Sequence, residues 1–196
     1  ERFSDTLHFG TAGLRGPVRG GPTGMNVAVV TRTTYAVARW LQDHGHPGAT
    51  VVVGRDARHG SEDFACAAAE VLAAHGFDVV RLPDPAPTPL LAFACRDLHA
   101  VLGIQITASH NPPADNGYKV YLGDGSQIVP PSDAQIAAQI DRVASVASVP
   151  RAESGWEVLG DELLEAYLDA VSGVVGLDTP RDLRVLHTSL HGVGDT

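Results

Sequence analysis

Three short apolar runs constrain this chain most: "TVVVG" at 50–54, "FDVVRL" at 77–82 and "HAVLGIQI" at 99–106. They are close to continuous rather than alternating in hydrophobicity, as strands are when helices cover both of their faces. A helix is predicted between the first two, from about Ser61 to His75, stopped by Gly76. Thr88 followed by Pro89 reads as an N-cap and first helical residue, opening a helix to about Asp97. Upstream, "VAVV" at 27–30 could pass for a strand. Yet Val27, Val30, Thr34, Val37 and Leu41 share one helical face, and Asn26 suits an N-cap, so 26–43 is predicted helical. Strands alternating with helices make an α/β layered domain.

Further along, a helix is predicted from Ser132 to about Val143 and another over 161–171, with "SVASVPRAESG" at 145–155 as a polar connector. "LRVLHTSLHGVG" at 183–194 reads as a new strand and glycine loop, with a domain boundary near 175–182 at "GLDTPRD". The ends, "ERFSD" and "HGVGDT", read as those of a piece of a longer chain. At 196 residues and 44% hydrophobic content there is material for one core and a small second piece. The 23 acidic against 14 basic side chains give a net charge of −9, which repels nucleic-acid backbones and anionic membranes, so neither is expected as a partner. An anionic ligand would need positive charge gathered locally. Cys66 and Cys95, both on apolar helix-like stretches, read as reduced core thiols. No stretch reaches membrane-spanning length without a charge and no signal peptide opens the chain, so a cytoplasmic location is expected.

"ITASHNPPADNGYKVY" at 106–121 stands at the carboxyl end of a predicted strand, where ligands of α/β sheets collect. Ser109 precedes His110, but the G-x-S-x-G frame of a hydrolase serine is absent, and adjacent side chains on an extended backbone point to opposite sides. A serine hydrolase is therefore a weak reading. Pro112 and Pro113 stiffen the loop, Asn116-Gly117 signals a tight turn, and the reversal would bring Lys119 back toward Ser109. A serine beside a lysine suits transfer of an anion such as a phosphoryl group. An ordinary proline-stiffened surface loop fits these residues equally well. Three other segments add weight to the anion reading: "HFGTAGLRG" at 8–16 with Thr11 and Arg15, "VVVGRDARHG" at 51–60 with Arg55 and Arg58, and "SLHGVG" at 189–194 with His191. Singly each reads as a flexible turn, the preferred reading for Arg58 and His59. Together they gather cations at glycine loops, whose backbone N–H groups can approach an anion closely.

In that order and spacing, "FGTAGLRG", "GRDARHGS", "TASHNPPADNGYKVY" and "SLHGVG" resemble the N-terminal portion of the α-D-phosphohexomutases, the phosphoglucomutases and phosphomannomutases. The resemblance implies a three-layer αβα domain with a mixed sheet over residues 1–175, connector included. Residues 183–196 would then be the first strand and loop of a second, similar domain. It implies an intramolecular phosphotransferase that interconverts hexose 1-phosphate and hexose 6-phosphate through a phosphoserine, Ser109, and a bisphosphosugar intermediate. By the same resemblance His110 contacts the phosphate or a sugar hydroxyl, and Lys119 stabilises charge and moves protons at the transferring group. Arg15 holds phosphate, while Thr11 and Arg55 shape the site. The implied cofactors are Mg²⁺ and a bisphosphosugar activator of the glucose 1,6-bisphosphate type. The metal would be bound through the Ser109 phosphate oxygen, its other ligands coming from an Asp-x-Asp-x-Asp stretch that these residues lack. Residues 1–196 alone are accordingly expected to be inactive. "TAGLRG" resembles the phosphoglucomutase and phosphopentomutase branch, which favours glucose over mannose. A pentose phosphate mutase and a non-catalytic phosphosugar-binding piece are the alternatives.

Overall fold

The computed structural model describes residues 3–174, 176, 180 and 182–194. In chain order the elements are β1 (Leu14–Pro17), α1 (Val27–Asp43), β2 (Thr50–Arg55), α2 (Ser61–Ala74), β3 (Asp78–Arg81) and α3 (Thr88–Asp97). They continue with β4 (Leu102–Ile106), β5 (Asp115–Leu122), α4 (Ser132–Asp141), β6 (Trp156–Val158) and α5 (Glu162–Ser172). One six-stranded sheet runs β1-β5-β4-β2-β3-β6. Strands β4, β2, β3 and β6 are parallel, and β5 is antiparallel to both β4 and β1, so the sheet is mixed. Helices α1, α2 and α4 cover one face and α3 and α5 the other, giving the expected three layers.

The apolar runs are buried on both sides for the reason their continuity predicted. Val51 and Val53 pack with Phe64 and Leu72 in the core under α1 and α2, while Val52 between them packs with Leu82, Leu91 and Cys95 under α3. The cap of α1 forms as expected. Asn26 Oδ1 accepts from the Val29 N–H at 3.1 Å, and its Nδ2 also donates to the carbonyls of Arg19, Gly21 and Gly24. The Trp40 indole N–H donates to Gln135 Oε1 at 2.9 Å and ties α1 to α4. Of the two thiols, Cys95 is a fully buried core group whose pKa is pushed up to about 12 by burial. Cys66 is only half-buried and lies between Glu62 and Arg81 at 3.3 Å from each.

Several local expectations give way. Pro87, in an extended conformation, takes the cap position of α3, so Thr88 is the first helical residue and caps nothing. Asn116-Gly117 forms no turn but lies inside β5, the chain having already reversed between Ile106 and Asp115. Tertiary structure overrides the turn signal there. Asn116 is fully buried, its Nδ2 donating to the His59 carbonyl and to Ser61 Oγ, and its Oδ1 accepting from the Gly117 N–H. A Cβ at Gly117 would stand 2.6 Å from the Thr107 carbonyl oxygen and 2.7 Å from that of Leu14, so only glycine lets both neighbouring strands approach. Residues 182–189 form no strand, and Leu183, Val185 and Leu186 are exposed. A strand needs a ladder partner, and none lies beside this segment among the described residues. Of the boundary expected at 175–182, residues 175, 177–179 and 181 lie outside the described residues.

Gly13 shows how tightly β1 is laid down. Its φ is +72°, and a methyl group there would overlap the Tyr118 carbonyl oxygen of β5. Gly13→Ala is expected to cost about 2–4 kcal/mol of stability in urea denaturation.

Candidate active site

Ser109 follows the carboxyl end of β4 with φ +54°, a left-handed conformation uncommon for a residue with a side chain. Both it and His110 are exposed. The loop is held partly by itself. The Ser109 N–H donates to Thr107 Oγ1 at 3.0 Å, the Asn111 N–H to the Ala108 carbonyl, and Asn111 Nδ2 to Asp115 Oδ2 at 3.0 Å. Among the described residues no histidine or carboxylate accepts from the Ser109 hydroxyl, so the geometry contains no hydrolase base.

The rest of the support comes from the segment between β2 and α2. Arg58 donates to four carbonyls of the serine loop at 2.7–3.0 Å and pairs with Asp56 at 3.3 Å. Asp56 Oδ1 in turn accepts from the Arg58 N–H at 2.9 Å and from Ser61 Oγ at 2.7 Å. The flexible turn expected around Arg58 is thus a built brace. Asp56 and Thr107 are supporting residues that sequence reasoning did not single out, while Arg58 and Asn116 were noticed only as parts of turns. The one local signal was Asp56 two residues before Arg58, the spacing at which an aspartate caps a following N–H.

Arg15 and Lys119 come together through the sheet. Leu14, Tyr118 and Val120 pack in the core under α1 and α2, so the alternation of the pleat turns Arg15 and Lys119 to the opposite face, with Gln105 and Tyr121. Arg15 stands opposite Gly117, whose missing side chain leaves space for the arginine stem. Lys119 is 8% exposed, and no described residue offers it a carboxylate partner. Burial, and then the charge of Arg15, push its ammonium below the ordinary value. Arg15 Nε is buried and has no hydrogen-bond partner. Two cations with no counter-ion among the described residues therefore share one face of the β1–β5 edge. Lys119 is also the sole lysine of the sequence.

Arg55 is not brought to them. As the last residue of β2 it shares the face of Val51 and Val53, where it pairs with Glu62 of α2, which also takes Arg81 at 2.8 Å. Thr11 is exposed, and its carbonyl accepts from Gln127 Nε2. A cleft of about 630 Å³ opens beside Ser109, lined by Asp56, Arg58, His59, Thr88, Thr107 and His191 among others; Arg15 and Lys119 are not in its lining. The described residues include no cluster of three His, Cys, Asp or Glu side chains suited to a metal ion, so they do not by themselves make a Mg²⁺ site. No helix among them is long and apolar enough to cross a membrane.

An αβα domain with an exposed serine on a braced loop, and with unneutralised cations at the neighbouring sheet edge, is equipped to handle an anionic group. Residues 6–147 match the family described as phosphoglucomutase/phosphomannomutase, alpha/beta/alpha domain I, and the chain belongs to that family. It is 39% identical over 176 residues to a Haemophilus influenzae protein named "Probable phosphomannomutase", covering 87% of this chain and 36% of that one. It is 37% identical over 218 residues to a Saccharomyces cerevisiae phosphoribomutase, covering 99% of this chain and 34% of the yeast protein. A crystal structure from Thermus thermophilus, provisionally named a phosphomannomutase, superposes with a TM-score of 0.77 at 36% identity, covering 89% of this chain and 37% of that one. The chain thus spans about a third of the length of the relatives it matches.

Proposed function

We propose that this chain supplies the phosphoserine side of a phosphosugar mutase. Residues 1 to about 175 act as its first domain, and residues 183–196 begin a second. The reading is carried by one observation: an exposed serine at the end of β4, followed in the same strand-loop-strand unit by a buried lysine with no counter-ion among the described residues. In the reaction the bond between phosphorus and Ser109 Oγ breaks, and a new bond forms to a hydroxyl of a sugar monophosphate, whose proton leaves to a nearby acceptor. The bisphosphosugar turns over and returns its other phosphoryl group to Ser109.

Lys119 supplies fixed positive charge to the transferring oxygens. Its lowered pKa also makes its neutral form a better-populated proton acceptor than that of an ordinary lysine. Arg15, whose fork suits phosphate oxygens, binds the group that does not react. His110 is assigned a contact to the phosphate or a sugar hydroxyl, and Thr11 and Arg55 a shaping role. Relatives of near-equal identity carry phosphomannomutase, phosphoribomutase and phosphoglucomutase names, so the substrate class is a sugar monophosphate, a hexose or a pentose. A bisphosphosugar would recharge the serine. Mg²⁺ belongs to the proposal only as a partner of the phosphoserine oxygen, and no step above is assigned to it.

The test is to incubate the intact protein with glucose 1,6-bisphosphate, digest it and locate the phosphate. A single phosphate on the peptide containing Ser109 is expected; phosphate on another residue alone would overturn the reading. Arg15→Ala should raise KM about tenfold or more, at least as much as it lowers kcat, since it removes a charge-assisted contact made in the ground state as well.

A further inference from the structure

Four carbonyl oxygens of one seven-residue loop converge on one guanidinium. Arg58 Nη1 donates to Pro112 at 2.8 Å and Asp115 at 3.0 Å, and Nη2 to Ser109 at 2.7 Å and Asn111 at 2.8 Å. Its Nε faces Asp56 at 3.3 Å. A guanidinium has five N–H donors; the four on Nη1 and Nη2 are taken by loop carbonyls and Nε is ion-paired with Asp56, so the face of Arg58 that would grip an anion is already occupied although the residue lines the cleft. What it acts on is the loop.

The effect falls on Ser109 in particular. A serine held in the left-handed region persists there only when its surroundings over-determine it. The peptide plane before Ser109 is pinned by its N–H on Thr107 Oγ1, and the plane after it by its carbonyl on Arg58. With both planes fixed, the direction of the Cα–Cβ bond is fixed as well. The same four bonds draw the negative ends of the loop carbonyls onto Arg58, which would otherwise be free to face an incoming phosphate.

We infer that Arg58 is the positioning residue of the transfer step, holding loop 109–115 in the conformation that presents the Ser109 hydroxyl and making no contact with substrate. The inference rests on the reading of Ser109 as phosphoryl carrier. A displacement of about 1 Å in a reacting group costs on the order of 100-fold in rate. In the full-length protein, assayed well below the unfolding midpoint, Arg58→Ala and Arg58→Lys should both lower kcat by about that factor, with KM nearly unchanged. Lysine should not rescue, because three donors on a point-like ammonium cannot meet four carbonyls and a carboxylate. Guanidinium ion added at millimolar concentration should restore part of the activity of Arg58→Ala and none of that of Arg58→Lys, whose side chain fills the vacated site. If Arg58→Ala does not fold, Arg58→Lys, which keeps the stem, the charge and the Asp56 pair, carries the test.

Wild-type kcat in Arg58→Lys would overturn the inference, as would a raised KM with kcat intact, the mark of a substrate ligand. Ser109→Ala run alongside separates the two readings. If it is inactive while Arg58→Lys is fully active, only the role of Arg58 is wrong; if it turns over normally, the carrier reading fails and this inference falls with it.

Discussion

Ser109→Ala in the intact protein is expected to lower interconversion of hexose 1-phosphate and hexose 6-phosphate by about 10⁴-fold or more, the scale on which removing a covalent nucleophile acts. The loss should be chemical rather than structural. The Ser109 side chain is exposed, and its backbone, not its hydroxyl, makes the contacts that hold the loop. Ser109→Gly sharpens the distinction. Glycine relieves the positive φ, so this variant should be as inactive as the alanine one yet no less stable than wild type in thermal unfolding. Appreciable turnover by either variant would remove Ser109 from the chemistry.

Lys119→Met is expected to move activity and stability in opposite directions. Turnover should fall by about 100- to 1,000-fold through kcat, the usual consequence of deleting a preorganised charge at a transferring group. Stability should rise, because a buried ammonium beside Arg15 is replaced by an apolar chain of similar length. The sign with pH follows from the lowered pKa. Between that value and the ordinary one of about 10.4, the unfolded chain binds the proton that the folded chain has released, so stability increases as pH rises through the window. Thermal midpoints of wild type should therefore gain on those of Lys119→Met as the pH is raised across this range. A midpoint for Lys119→Met below that of wild type at neutral pH would mean that the lysine has a stabilising partner.

What was legible in the sequence follows the range of the interactions. β2 and β4 announced themselves because burial on both faces leaves a continuous apolar run, and the Asn26 cap because its partner is three residues away. The reversal of the chain between Ser109 and Lys119 was foreseen for a partly wrong reason. The chain does reverse between them, but ahead of Asn116-Gly117, whose turn chemistry is overridden by two strand backbones closing on Gly117. β1 was missed because "LRGP" contains glycine and proline and forms a strand only by pairing with β5. Arg58 was read as a flexible turn because its partners lie 51 to 57 residues away, beyond what a local pattern can report. Arg55 illustrates the converse. Its motif grouped it with Arg15, yet strand alternation places its side chain on the other face of the sheet from Arg15 and Lys119, paired with Glu62.

The alternation within β5 couples the placement of the Lys119 charge to the packing of the core. Tyr118, fully buried and 3.1 Å from Thr34 Oγ1, is the immediate neighbour of Lys119. A slip of β5 by one residue would exchange them, driving the ammonium into the core beneath α1 and leaving the phenol where the charge belongs. A chain that misplaced this charge would thus also fail to pack. Misregistered molecules would be removed as folding failures, and would not accumulate as well-folded protein lacking its charge.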